Sequence, residues 1–287
     1  MADEATSSVL SELYSNIVQS ALFTLNEQTV IRPLVRNYDM SGTPGLTAQV
    51  PIYPTVAAAA VADGTDLANT AFNTTSKTIT ASEVGVMVEL TDLAAESANE
   101  DVAAAIGRQI GSAMAEKVDT DIAGLFSGFS NVVDKSQTTI TAEDIFKAAA
   151  TLKNNKADQN GNMVCVLHPF QAFDLKKQLT NAGASAMSHS LSDVGNAALS
   201  SGFVGRIAGV DIFESTVVTG GDSAGSFFGA VMTQDALGYM VKRAMRIETE
   251  RNASKRSLEI VGSMAYGASE LFDQYGVAIK SDASAVI

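Results

Sequence analysis

Apolar and polar positions along this chain alternate with two different periods, and the switches between them divide it into elements. Residues 5–26 carry Val9, Leu10, Leu13, Ile17, Ala21, Leu22 and Leu25 at helical spacing, which predicts an amphipathic N-terminal helix. A stronger signal runs from Asn99 to about Ser127. Asn99 is a good N-cap, Glu100 and Asp101 put negative charge on the first turn, and no proline occurs before Ser127, so one long helix is expected. Its apolar residues Val102, Ile106, Ile110, Met114, Val118, Ile122 and Leu125 lie mostly four apart. Each step of four advances about 40° around a helix, so the stripe winds. A winding stripe predicts different neighbours along the helix.

Between the two helices the pattern becomes extended. Residues 30–45 hold two prolines and two glycines and read as an arm or loop. Leu46 to Thr55 reads as a strand that Pro51 and Pro54 restrict to an edge. A small-residue tip comes next, and residues 76–92 return as a strand, making a long hairpin-like excursion with little core of its own. In the return strand Ile79 and Ala81 share one phase while Val84, Val86, Val88 and Leu90 share the other. The buried face therefore flips near Ser82, where a bulge or a change of partner sheet is required.

After the long helix, Thr141 and Asp144 open a second helix through a capping-box variant. Residues 163–167, all apolar, read as a buried strand, and Pro169 starts another helix at its first turn. Residues 180–202 read as a surface loop, and the rest as strands separated by glycine turns. Early helices and later strands without a βαβ rhythm indicate the α+β class.

Composition sharpens this picture. The chain has 287 residues, 46% of them hydrophobic, enough for one large domain or a few connected lobes. Only 18% are charged, below the usual quarter, which implies a surface largely covered by other subunits. The formal net charge is -13. Acids outnumber bases 17 to 6 over residues 1–140, whereas bases outnumber acids 7 to 6 over residues 241–287. Such acidity argues against strong binding to a phosphate backbone. The late basic ribbon, Lys242, Arg243, Arg246, Arg251, Lys255 and Arg256, is better suited to acidic protein surface. A single cysteine, Cys165, excludes an intrachain disulfide framework and fits a reducing compartment. No signal peptide and no run of about 18 apolar residues is present, so a soluble protein without membrane contact, made in the cytoplasm, is expected.

Candidate chemistry is sparse. Gly221-Asp222-Ser223-Ala224-Gly225 matches the nucleophile elbow of serine hydrolases, but in that fold the histidine comes after the serine. Here His168 and His189 both precede Ser223 and a strand comes after it, which favours a glycine-rich turn. Asp158 to Asn162 resembles a calcium loop, but its glycine is Gly161 at the fourth position and Pro169 stands at the twelfth, so it reads as a turn. Two histidines and one cysteine make no convincing metal site, and no P-loop or dinucleotide fingerprint occurs. No enzymatic activity, cofactor or metal is expected.

The order of elements resembles that of the major capsid proteins of tailed bacteriophages, which share the Hong Kong 97 fold. It is carried by VELTDLAAES at residues 88–97, AEKVDTDI at 115–122, VLHPFQAFDLKK at 166–177, GRIAGVDIFES at 205–215 and SLEIVGSMAYGASELFDQYGVAIKSD at 257–282. The resemblance implies an N-terminal arm (1–42), an extended loop (43–82), a peripheral domain with the spine helix (83–140 and 238–264) and an axial domain (141–237 and 265–287). It further implies hexamers and pentamers in an icosahedral shell enclosing double-stranded DNA without sequence-specific binding, with portal and decoration proteins as further partners. The arm before the loop is short, so scaffolding is either a separate protein, which Met1 favours, or already removed. The charge asymmetry adds an expectation: an acidic loop or spine of one subunit, Asp63 and Asp66 included, meets the basic ribbon of the next. The loop offers only Lys77, away from its tip, so covalent crosslinking is not expected. An encapsulin-like nanocompartment, a filament subunit and a hydrolase using Ser223 are the alternatives.

Overall fold

The computed structural model describes residues 17–25, 28–53, 56, 58–61, 63–64, 66, 69, 71–97, 102–157, 162–183, 205–218, 220 and 225–284. The predicted turn at Asp158–Gly161, the Ser223 motif, His189, most of the 180–202 loop and the first part of the N-terminal helix lie outside them.

The two phases of the return strand belong to two strands in different sheets. β1 (Arg36–Asp39) comes after helix α1 (residues 17–25) and a 3-10 turn (Arg32–Leu34). β2 (Thr47–Ile52) and β3 (Thr75–Thr80) pair with each other, antiparallel, whereas β4 (Ser82–Thr91) leaves that pair for another sheet. Ala81 stands between them, buried, its N–H donating to the Leu46 carbonyl at 2.8 Å. The phase flip near Ser82 is thus a change of partner. Gly267 makes room for the crossing, because a Cβ there would sit 2.2 Å from the Thr80 carbonyl oxygen.

After a short helix α2 (Asp92–Ser97) comes the long helix α3 (Val102–Ala123), extended by a 3-10 turn (Gly124–Gly128). It spans about 33 Å. Ile110, Met114, Val118 and Ile122 are buried, each contributing about 2 kcal/mol relative to exposure. Val102 and Ile106 are half-buried. The stripe winds because it meets different neighbours within its own chain. On one side α1 crosses at Gly107 and Gly111, where Cβ atoms would meet the carbonyl oxygens of Ile17 at 2.7 Å and Ala21 at 2.4 Å. On another, Gly262 admits Ile110, whose Cγ2 lies 2.6 Å from where a Cβ would be. Helix, crossing helix and sheet share one apolar core.

The sheet beneath α3 has the order β1-β10-β11-β4, built on the hairpin of β10 (Leu237–Asn252) and β11 (Ser257–Glu270). The second sheet has the order β5-β12-β9-β6-β8-β7. It comprises β5 (Val132–Thr139), β6 (Met163–Leu167), β7 (Arg206–Ile207), β8 (Val210–Glu214), β9 (Ser226–Thr233) and β12 (Gly276–Asp282). α4 (Ala142–Asn154), with the Thr141 and Asp144 capping box in place, and α5 (Pro169–Gly183) accompany it. β6 is buried along its whole length, as an all-apolar run requires. β5 pairs in parallel with β12, Val132 opposite Ala278, so residues 132–139 join the second sheet, not the first. β11 stays paired with β10 as far as Glu270 opposite Leu237.

Candidate assembly surfaces

The residues singled out for chemistry are structural where they are described. His168 is the N-cap of α5: its Nδ1 accepts from the Phe170 N–H at 3.2 Å, and the Gln171 Oε1 accepts from the His168 N–H at 3.1 Å, a reciprocal box like that of serine and glutamate. The imidazole stacks on Phe227 with ring centroids 3.9 Å apart, and burial pushes its pKa down. Gln171, fully buried, also donates to the Phe227 carbonyl and to Ser281 Oγ, tying α5 to β9 and β12. The Cys165 thiol is buried and its pKa raised, which makes it inert.

The excursion is the most exposed part of the described chain. Within β2 and β3 only Ile79 is buried. Leu46, Tyr53, Val56, Val61 and Phe72 are exposed, and Tyr53 and Phe72 stack with centroids 6.0 Å apart. At its root, Lys77 Nζ lies 3.8 Å from Glu270. Asp63 and Asp66 are exposed near the tip, and no ion pair involves them among the described residues.

Most of the basic ribbon finds acids within its own chain. Arg243 pairs with Glu83, Arg246 with Glu248 at 3.0 Å, and Arg251 with Asp92, Nη2 to Oδ2 at 2.7 Å. Lys255 reaches Glu89 at 3.3 Å and Glu259 at 3.9 Å. Lys242 donates to the carbonyls of Met40 and Thr43. The cause is register: β4 lies beside β11 with Thr91 opposite Ser257, so the acids leading into the long helix stand beside the hairpin end. Asp92 and Glu89 are held below the usual carboxylate range, by the Arg251 hydrogen bond and by Ser257 and Lys255 respectively. Arg256 differs: it sits in the turn at φ 55° and makes no ion pair among the described residues.

A buried acid that sequence reasoning missed fastens the arm. Asp119 is 3% exposed, and its carboxylate accepts from the backbone N–H groups of Val30 (2.7 Å), Ile31 (3.2 Å) and Arg32 (3.2 Å). Burial pushes its pKa up, against the three donors that favour the charged form. Arg32 lies over the Tyr239 ring, 5.3 Å from its centroid. A usable signal was present, since Asp119 stands four residues after Ala115 and three before Ile122, on the apolar side of the helix. Gly107 and Gly111, four apart in the same helix, signalled the close crossing of α1.

A family model described as phage capsid protein matches residues 74–279, from β3 through most of β12. No curated protein matches. Among solved structures, the capsid of cyanophage P-SCSP1u is 19% identical, with a TM-score of 0.66 over 89% of each chain. Mycobacterium phage Che8 is 20% identical, with a TM-score of 0.69 over 88% of this chain and 90% of that one. The capsid of Ralstonia phage GP4 is 11% identical, with a TM-score of 0.68 over 88% and 87%. Identities this low speak for the fold alone, while the family model covers well over half of the chain. The chain therefore belongs to the phage capsid protein family, has a Hong Kong 97-like α+β fold, and is a structural protein of the virion shell.

Proposed function

We propose that the chain assembles into hexamers and pentamers of an icosahedral shell that encloses double-stranded DNA, and that it has no enzymatic role. The observation that supports this best is the β2–β3 excursion, whose apolar side chains Leu46, Tyr53, Val56, Val61 and Phe72 are left exposed. A soluble monomer rarely carries so much uncovered apolar surface on one projection, and a second copy laid beneath it would cover it. Net charge -13 suits an inner wall that holds DNA loosely and reads no sequence. A separate scaffolding protein, a portal and decoration proteins are the further partners of this reading, with synthesis in the host cytoplasm. The four divisions are an arm, the extended β2–β3 loop, a peripheral unit on the four-stranded sheet and an axial unit on the six-stranded one.

Negative-stain microscopy of the expressed chain, with and without phage co-expression, tests the proposal. Closed shells of uniform diameter, with nuclease-protected DNA in the phage-derived particles, are expected. Filaments, or shells loaded with protein and no DNA, would overturn it.

A further inference from the structure

The fastening of the arm by Asp119 reaches beyond the arm itself. Residues 30–32 are pinned to α3 by its carboxylate, Val35 is buried, and β1 lies parallel on β10 with Arg36 opposite Gly238 and Asp39 opposite Val241. The Met40 N–H then donates to the Val241 carbonyl at 2.9 Å, and Lys242 takes the carbonyls of Met40 and Thr43. The Leu46 carbonyl accepts from Ala81 immediately before β2 begins. From the pin to the root of the excursion, the path is thus held at close intervals, and β1 is a short strand with no other strand beyond it among the described residues. The pin is the step at which this path is tied to the long helix.

The geometry points to Asp119 as a positioning residue for shell assembly: by holding Val30, Ile31 and Arg32 on α3, it sets where and in which direction the β2–β3 excursion leaves the body. Three N–H groups converge on one side chain, so one substitution releases all of them. The helix crossing at Gly107 and Gly111 is a separate seat for α1, on the opposite side of the intervening turn from β1. The inference rests on the proposed shell function.

Asp119→Leu removes every acceptor while keeping a similar volume. Asp119→Asn keeps one acceptor oxygen but turns an amide donor toward the remaining N–H groups. Purified subunits of both should still unfold in one cooperative transition, at a lower midpoint than the wild type and lowest in the leucine variant, because buried N–H groups lose their acceptor. Trypsin cleavage after Arg36 should rise more than tenfold in the leucine variant and less in the asparagine variant, as expected when charge-assisted hydrogen bonds are lost and cleavage tracks local opening. Shell yield should fall in the same order, with open or irregular particles in place of closed ones. Gly111→Ala, which disturbs the α1 seat alone, should leave Arg36 protected. Closed shells of wild-type diameter and yield from Asp119→Asn, or unchanged cleavage in whichever variant folds, would overturn the inference. Wild-type chain that forms no shells would overturn the shell reading instead, so the two failures are distinguishable.

Discussion

Ala208 and Gly209 form the two-residue connection between β7 and β8, with Ile207 opposite Val210, and both have left-handed backbones, φ 57° and 83°. That is the geometry of a type I′ hairpin turn, which asparagine before glycine fits best. Alanine tolerates it poorly, because its Cβ crowds the next carbonyl. Ala208→Asn should therefore stabilise the subunit by about 0.5–1 kcal/mol, read as a higher urea midpoint at unchanged slope. An unchanged or lower midpoint would show that the turn is not strained. The Arg206 and Asp211 pair at 2.7 Å already aligns the strands, so register should not change. The same residue scale shows what was legible beforehand. His168 before Pro169, and Thr141 before Asp144, announce helix starts because a cap is a contact within four residues. Asp119 gave no such notice of its role, because its partners Val30, Ile31 and Arg32 lie nearly ninety residues away in sequence.

At the scale of elements, periodicity alone located the long helix and the flip near Ser82, since both are patterns within one segment. It did not show that β5 pairs with β12, a contact between residues 132–139 and the chain's last strand. Nor did it show that the ribbon of bases would be paired at home, because that depends on β4 lying beside β11. The end of the β10–β11 hairpin is held by this home pairing. Asp92 and Glu89 both have pKa values below the ordinary carboxylate range in the folded chain, Asp92 through Arg251 and Glu89 through Ser257 and Lys255. A lowered folded pKa means that the unfolded segment binds protons more readily. The contribution is therefore complete above the ordinary carboxylate value, near 4, and is lost as pH falls through the lowered one. Amide exchange at residues 249–260, corrected for its intrinsic pH dependence, should accelerate below about pH 4 and lose part of that acceleration, the Asp92 share, in Arg251→Ala. Exchange that tracks the intrinsic rate across this range would show that the pairs do not hold the hairpin.

For the whole molecule, home pairing changes what a charge reversal can report. Glutamate in place of Arg251 or Lys255 would face Asp92, or Glu89 and Glu259, inside the same subunit, so lost assembly could arise from a loosened hairpin. Arg256 separates the two effects, because among the described residues it makes no ion pair, although it lies close enough to Asp92 to lower that group's pKa further. Asp63 and Asp66 are exposed acids on the projecting excursion. If hairpin tip and excursion tip of adjacent subunits meet, Arg256→Glu should cut shell yield while moving the subunit's stability by no more than about 0.5 kcal/mol. Adding Asp63→Lys and Asp66→Lys should then recover yield, and the recovery should shrink at high salt, where exposed charges are screened beyond about 3 Å at 1 M. Arg256→Glu shells of normal yield would exclude this contact. Loss of shells without recovery by the acid reversals would place the partner of Arg256 elsewhere on the neighbouring subunit.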